Sequence, residues 1–203
     1  VGERMNAIEA AVAPARHFAD WMVERANAID SRVVVGLDPD LGKFPKCLRD
    51  AILGSEDPGV VTTSIVDFNK ALINGTKPYA VAYKPQAAFY EQYGLAGYSA
   101  LLETIAYARS VGVPVIFDGK RNDIGHTASA YGNAWLADKH PFLERANPAR
   151  GDAITINGYL GRDGVQPFLD ASATAGVFVL AKTSNPTSGE LQDLTVDDST
   201  TLL

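Results

Sequence analysis

The stretch Val113-Pro114-Val115-Ile116-Phe117-Asp118-Gly119-Lys120-Arg121-Asn122-Asp123-Ile124-Gly125-His126-Thr127-Ala128 opens with an apolar run and changes character abruptly at Asp118. The run has the Val- and Ile-rich composition of a strand buried on both faces. An acid, a glycine and a base close it, and a segment of helical periodicity follows. The same succession recurs along the chain, with further apolar runs at Val33 to Leu37, Tyr79 to Tyr83, Ala153 to Ile156 and Val177 to Ala181. Short strands alternating with longer helices predict βαβ units and a parallel sheet.

The intervening segments carry the helical spacing. Ile8, Val12, Ala15, Ala19, Met22 and Ala26 mark one face of an N-terminal helix, with Pro14 as a kink or early break. Val60 to Asn74 predicts a second helix, with Gly75 as its C-cap. Tyr98, Leu101, Leu102, Ile105 and Ala108 mark a third, and Thr127 to Lys139 and Asp163 to Ala173 are two more. The Pro- and Gly-rich stretch Asp38 to Gly59 reads as a loop with one short helix. No linker, low-complexity tract or short repeat divides the chain, so residues 1 to 203 are expected to form a single domain.

Bulk properties narrow the function classes. The chain of 203 residues is 46% hydrophobic and 21% charged, as in ordinary globular proteins. A formal charge of -6 with scattered Lys and Arg offers no basic stripe for nucleic acid. No apolar run approaches the roughly 20 residues of a membrane span, and no signal-peptide core is seen, so the expected location is the cytoplasm. Cys47 is the only cysteine, which excludes an intramolecular disulfide and a zinc knuckle.

All five predicted strands end in polar residues: Asp38, Lys84, Asp118 with Lys120, Asn157, and Lys182-Thr183-Ser184. In parallel barrels the strand C-termini open onto one face, where active sites sit. Alternation along an extended segment puts Asp118 and Lys120 on the same side. An Asp and a Lys held together hold each other ionised where either alone would be disfavoured, and Lys84 supplies a second cation. A structural ion-pair network would use the same residue types. The sequence carries no G-x-G-x-x-G, Walker A or H-E-x-x-H motif, so no cofactor or metal is expected.

The D-x-K-x-x-D pattern of Asp118, Lys120 and Asp123, within the string Lys120-Arg121-Asn122-Asp123-Ile124-Gly125-His126-Thr127-Ala128, resembles the signature of orotidine 5′-phosphate decarboxylases. Val34-Val35-Gly36-Leu37-Asp38-Pro39, Ala82 to Glu91, and Lys182-Thr183-Ser184-Asn185-Pro186 resemble three further segments of one bacterial branch, in the family's order. The resemblance implies a TIM (β/α)8 barrel, of which about the first five β/α units are present. It implies a cofactor-free decarboxylation of orotidine 5′-phosphate, in which Lys84, Asp118, Lys120 and Asp123 form a catalytic Lys/Asp array. Asp123, Ile124 and Thr127 would enter the neighbour's site across a homodimer interface. Asp38 would bind a ribose hydroxyl and Ser184 the pyrimidine amide, while Asn157 and Lys182 match mouth positions without a firm role. Five strands cannot close an eight-stranded barrel, so the family's last three units, with its phosphate grip, are expected beyond Leu203.

Some positions depart from the signature or fall outside it. Asn122 replaces a Gly and suits a positive φ. Gly119 replaces a more usual Ala, at a spacer where the exchange should matter little. Arg121 either reaches the site mouth or is solvated. His17, His126 and His140, the tyrosines around Tyr83 and Tyr90, and Trp21 and Trp135 read as packing, surface or loop residues. Two other functions share these features: a metal-dependent sugar-phosphate lyase or epimerase on a related barrel, and a non-catalytic nucleotide-binding protein.

Overall fold

The computed structural model describes residues 16–139 and 147–195. Helix α1 (Phe18–Ala28) leads into β1 (Val33–Gly36). A 3-10 turn (Leu41–Lys43) and α2 (Lys46–Leu53) follow, then the long α3 (Pro58–Thr76) and β2 (Ala80–Lys84). After α4 (Ala88–Glu91) and α5 (Gly94–Ser110) come β3 (Ile116–Arg121) and α6 (Gly125–Trp135). The last elements are β4 (Ala153–Asn157), α7 (Arg162–Asp170), β5 (Gly176–Leu180) and α8 (Gly189–Gln192).

The strands run parallel in chain order. β1 pairs with β2, and β3 with β4 and then β5. Two parallel bridges, Tyr83 with Val115 and Gln86 with Asp118, join β2 to β3. Sequential parallel staves separated by helices are the α/β arrangement expected from the sequence. Among the described residues no strand lies beyond β1 or β5, and both flanks are correspondingly open: Val33 is 52% and Phe178 45% exposed. The central strands are closed on both faces. Tyr83, Phe117, Ile154 and Ile156 are fully buried, and Ile65, Ile73, Leu101 and Ile105 of α3 and α5 cover them.

Local chemistry sets the helix ends. Asp57 Oδ1 accepts from Gly59 N at 2.8 Å and Pro58 occupies the first turn, a matched start for α3. The helix continues through Gly75, with Lys77 as the C-cap, so Gly75 is not the cap expected. His17 caps α1 through Nδ1, which accepts from Ala19 N at 3.1 Å. The inward face of α1 is carried by Phe18, Met22 and Ala26, and Ala19 is exposed. Ile8, Val12, Pro14, Ala15 and His140 lie outside the described residues. No helix among the described residues is long and apolar enough to cross a membrane.

A charged cluster braces the N-terminal ends of β3 and β4. Asp152 Oδ2 accepts from Val115 N at 2.9 Å, and its Oδ1 faces Arg109 Nε at 3.4 Å and Arg150 Nη1 at 3.7 Å. Arg150 also pairs with Asp138 at 2.5 Å. Burial pushes the Asp152 carboxyl above its ordinary range, and the opposing pull of Arg109, the Val115 N–H and Arg150 does not overcome it.

Candidate active site

The end of β2 and the residues after it are laced to β3 and the residues before it by backbone hydrogen bonds. Tyr83 N–H donates to Pro114 O at 2.9 Å, Asp118 N–H to Pro85 O at 3.0 Å and Ala87 N–H to Asp118 O at 3.1 Å. This lacing brings Lys84 alongside Asp118. Lys84 Nζ donates to Asp118 Oδ2 at 2.7 Å, and Lys120 Nζ donates to Asp118 Oδ1 at 2.8 Å. The Asp118 side chain is 7% exposed, whereas those of Lys84 and Lys120 are 34% and 46% exposed. A buried carboxylate is thus clamped between two ammonium groups that remain accessible.

Burial alone would raise the Asp118 pKa. Hydrogen bonds from Lys120, Lys84 and Thr155, together with the Lys84 charge, outweigh it and hold the carboxyl below its usual range. The carboxylate form is therefore the resting one near neutrality.

The geometry at Lys120 is not plain strand alternation. Phe117 faces Ile154 and Arg121 faces Ile156, so Asp118, Gly119 and Lys120 together stand opposite Thr155 alone. This is a β-bulge, a device common beside active sites because it re-aims side chains. Lys120 takes φ +44, a left-handed conformation that disfavours side-chain-bearing residues. The positive φ expected at Asn122 therefore falls on Lys120 instead. Gly119 is no indifferent spacer either. A Cβ there would lie 2.3 Å from Phe117 Cε1, and the fully buried Phe117 ring stacks on Trp135 with centroids 3.7 Å apart.

The remaining candidates divide into near and far. Asp38 is exposed at the end of β1, where its Oδ1 accepts from Gln86 N at 3.2 Å, beside the end of β2. Asp123 is half-buried and accepts from Ile124 N at 2.8 Å; among the described residues it pairs with neither lysine. Ile124 is 53% exposed and Thr127 is exposed, both at the start of α6. Ser184 is exposed in the loop after β5, apart from the Asp118 hydrogen bonds. Lys182 pairs with Asp193, and Asn157 Oδ1 accepts from Tyr159 N at 2.9 Å in a local turn. A cleft of about 620 Å³ opens where β4 and β5 end, lined by Asn157, Tyr159, Leu180 and Thr183 among others.

Arg121 takes neither role expected of it. Its side chain is 20% exposed, its guanidinium lies 5.5 Å from the centres of the Phe117 and Tyr131 rings, and it bonds Gly119 O at 3.1 Å and Glu91 at 2.8 Å. Thr155, which sequence reading passed over, contacts the array directly. Its Oγ1 donates to Asp118 Oδ1 at 2.7 Å and accepts from Lys120 N at 3.0 Å. A lone Thr in an apolar strand carries no signal of its own; only the register across the bulge exposes it.

The profile of the Orotidine 5′-phosphate decarboxylase / HUMPS family matches residues 31–202. An orotidine 5′-phosphate decarboxylase of Rhodopirellula baltica is 45% identical over 168 residues, covering 82% of this chain and 54% of that protein. One from Haloarcula marismortui is 44% identical over 178 residues, covering 88% of this chain and 57% of its own length. The chain thus spans a little over half the length of these relatives. Among solved structures, a putative orotidine-monophosphate-decarboxylase of Toxoplasma gondii aligns with a TM-score of 0.72 at 34% identity, covering 90% of this chain and 54% of that one. The UMP synthase of Leishmania donovani aligns with a TM-score of 0.70 at 37% identity, covering 90% of this chain and 34% of that one. The five-stave arrangement is thus a portion of the barrel fold that those proteins share.

Proposed function

Because the chain belongs to the Orotidine 5′-phosphate decarboxylase / HUMPS family, we propose that its protein converts orotidine 5′-phosphate to uridine 5′-phosphate and CO₂ in the synthesis of pyrimidine nucleotides. The observation that carries this reading is the buried Asp118 carboxylate held between Lys84 at 2.7 Å and Lys120 at 2.8 Å on adjacent strand ends.

The reaction breaks the bond between C6 of the pyrimidine and its carboxyl carbon. CO₂ leaves without the bonding pair, which stays on C6, and a proton must then arrive there. Lys120 is the donor: its ammonium stabilises the developing negative charge and transfers a proton to C6 as general acid. The resulting amine recovers a proton from solvent, which its exposure permits. Asp118 sits beside the substrate carboxylate, and the repulsion between them is relieved as CO₂ departs. Lys84 keeps Asp118 ionised and in place.

Asp123, Ile124 and Thr127 serve the neighbouring subunit of a homodimer. The exposure of Ile124 and Thr127 at the start of α6, beside the half-buried Asp123, supports that arrangement. Asp38 binds a ribose hydroxyl and Ser184 the pyrimidine amide. The enzyme works in the cytoplasm, without a cofactor.

The test follows ultraviolet absorbance as orotidine 5′-phosphate is consumed by the complete gene product. Turnover is expected from the unaltered protein, and Lys120→Ala should lose far more than the roughly 10²–10⁴-fold typical of a general acid. No turnover by the unaltered protein would overturn the activity, and a K120A variant within about tenfold would remove Lys120 from the chemistry.

A further inference from the structure

The bulge in β3 sets three residues against Thr155, and its single hydroxyl meets both outer members of that trio. We infer that Thr155 is a positioning residue for the Asp118–Lys120 pair, its hydroxyl pinning the left-handed turn at Lys120 while orienting the Asp118 carboxylate. The inference deepens the decarboxylase reading and rests on it for its kinetic consequences.

Chemistry fixes the direction of both contacts. The Lys120 backbone N–H can only donate, so Thr155 Oγ1 accepts from it at 3.0 Å. The one hydroxyl proton is then available to Asp118 Oδ1 at 2.7 Å, which as a carboxylate can only accept. Oδ1 therefore receives Thr155 and Lys120 Nζ together, while Oδ2 receives Lys84. A bulge interrupts the ladder, and here the hydroxyl supplies the partner that Lys120 N–H takes in place of a β4 carbonyl. Lys120 has φ +44, so the tether matters most where the backbone is least comfortable. The charged groups facing Asp118 are Lys84 from β2 and Lys120 from β3; Asp38, at the end of β1, is engaged with Gln86 N–H.

Thr155→Val keeps the shape of the side chain and removes both hydrogen bonds. It should lower kcat roughly ten- to a hundredfold through misplacement of Lys120, with KM changed by less than about threefold. The acid limb of the kcat/KM profile should move to higher pH, because the carboxylate form of Asp118 has lost a donor. Thr155→Ser keeps the hydroxyl and should restore both features. A T155V variant with kcat within about twofold and an unmoved acid limb overturns the inference. So does a T155S variant as impaired as T155V.

A measurement on the unaltered protein decides the matter if T155V does not fold, or if orotidine 5′-phosphate is not turned over. The Thr155 hydroxyl proton should exchange slowly by NMR while Asp118 is ionised and quickly once it is protonated. A hydroxyl exchanging rapidly across that whole range overturns the assignment. Absence of turnover in the unaltered protein counts against the decarboxylase reading alone, since the hydroxyl signal reports the pair without substrate.

Discussion

At Asp118 burial and charge pull in opposite directions, and the two lysines with Thr155 prevail. The folded pKa lies below the unfolded value of about 3.9. The stability contributed by this ion network is therefore complete above that value and is lost as pH falls through the folded one. Thermal melts of the unaltered protein should show a loss on acidification below about pH 4 that is smaller in Asp118→Asn, whose amide does not titrate. Gly119 has a different constraint. Gly119→Ala should destabilise by about 1–3 kcal/mol in denaturant titrations, because the new methyl displaces Phe117 from its stack on Trp135. The proximity of Lys84, Asp118 and Lys120 was legible in the sequence, since all three follow apolar runs. The bulge was not, because pairing register is a property of two strands and no residue of β3 announces it.

The elements were legible in their centres and misread at their ends. Each apolar run became a strand, yet β3 runs from Ile116 to Arg121 rather than from Val113 to Phe117. Hydrophobicity marks what is buried, whereas hydrogen bonding sets where a strand stops. Tyr83, Tyr90 and Tyr93 pack as expected, whereas Tyr79 is 66% exposed, and the hydroxyls of Tyr90 and Tyr93 also fasten the Asp38 segment from α4 and the turn after it. Tyr90 OH donates to Leu37 O at 2.8 Å and accepts from Asn69 Nδ2 at 2.9 Å, while Tyr93 OH donates to Pro39 O at 3.3 Å. Burial raises the Tyr90 phenol well above its ordinary range, so it stays a donor. Tyr90→Phe keeps the ring and leaves Leu37 O without this donor. It should lower stability by about 1–3 kcal/mol in thermal or chemical denaturation, and raise KM by loosening Asp38.

For the whole molecule, the parallel order of five staves followed from the alternation of strand and helix, and the structure bears it out. The site was legible only in part. Lys84, Asp118 and Lys120 meet within one chain, but Asp123 does not join them, and a single sequence states nothing directly about a neighbour. If Asp123 acts in trans, mixing inactive K120A and inactive Asp123→Asn subunits should restore activity. One of the two sites in a mixed dimer would be intact, giving up to about a quarter of the unaltered rate in a random mixture. Recovery absent after verified subunit exchange would place Asp123 outside the shared site.

β3 and β4 carry a tuned carboxyl at each pole. Asp118, toward the C-terminal ends of these strands, is held acidic by its neighbours, while Asp152, beneath the opposite ends, is driven toward its neutral form by burial. Their linkages to folding have opposite signs: raising the pH from the acid side consolidates the first and, between the unfolded value and its elevated folded value, weakens the second. A global melting curve records only their sum, which rises toward the unfolded carboxyl value of about 3.9 and declines above it. Amide protection read separately at Lys120 and at Val115, each relative to the intrinsic exchange rate at that pH, should separate them: the first is gained as pH rises toward about 4 and the second is lost above it.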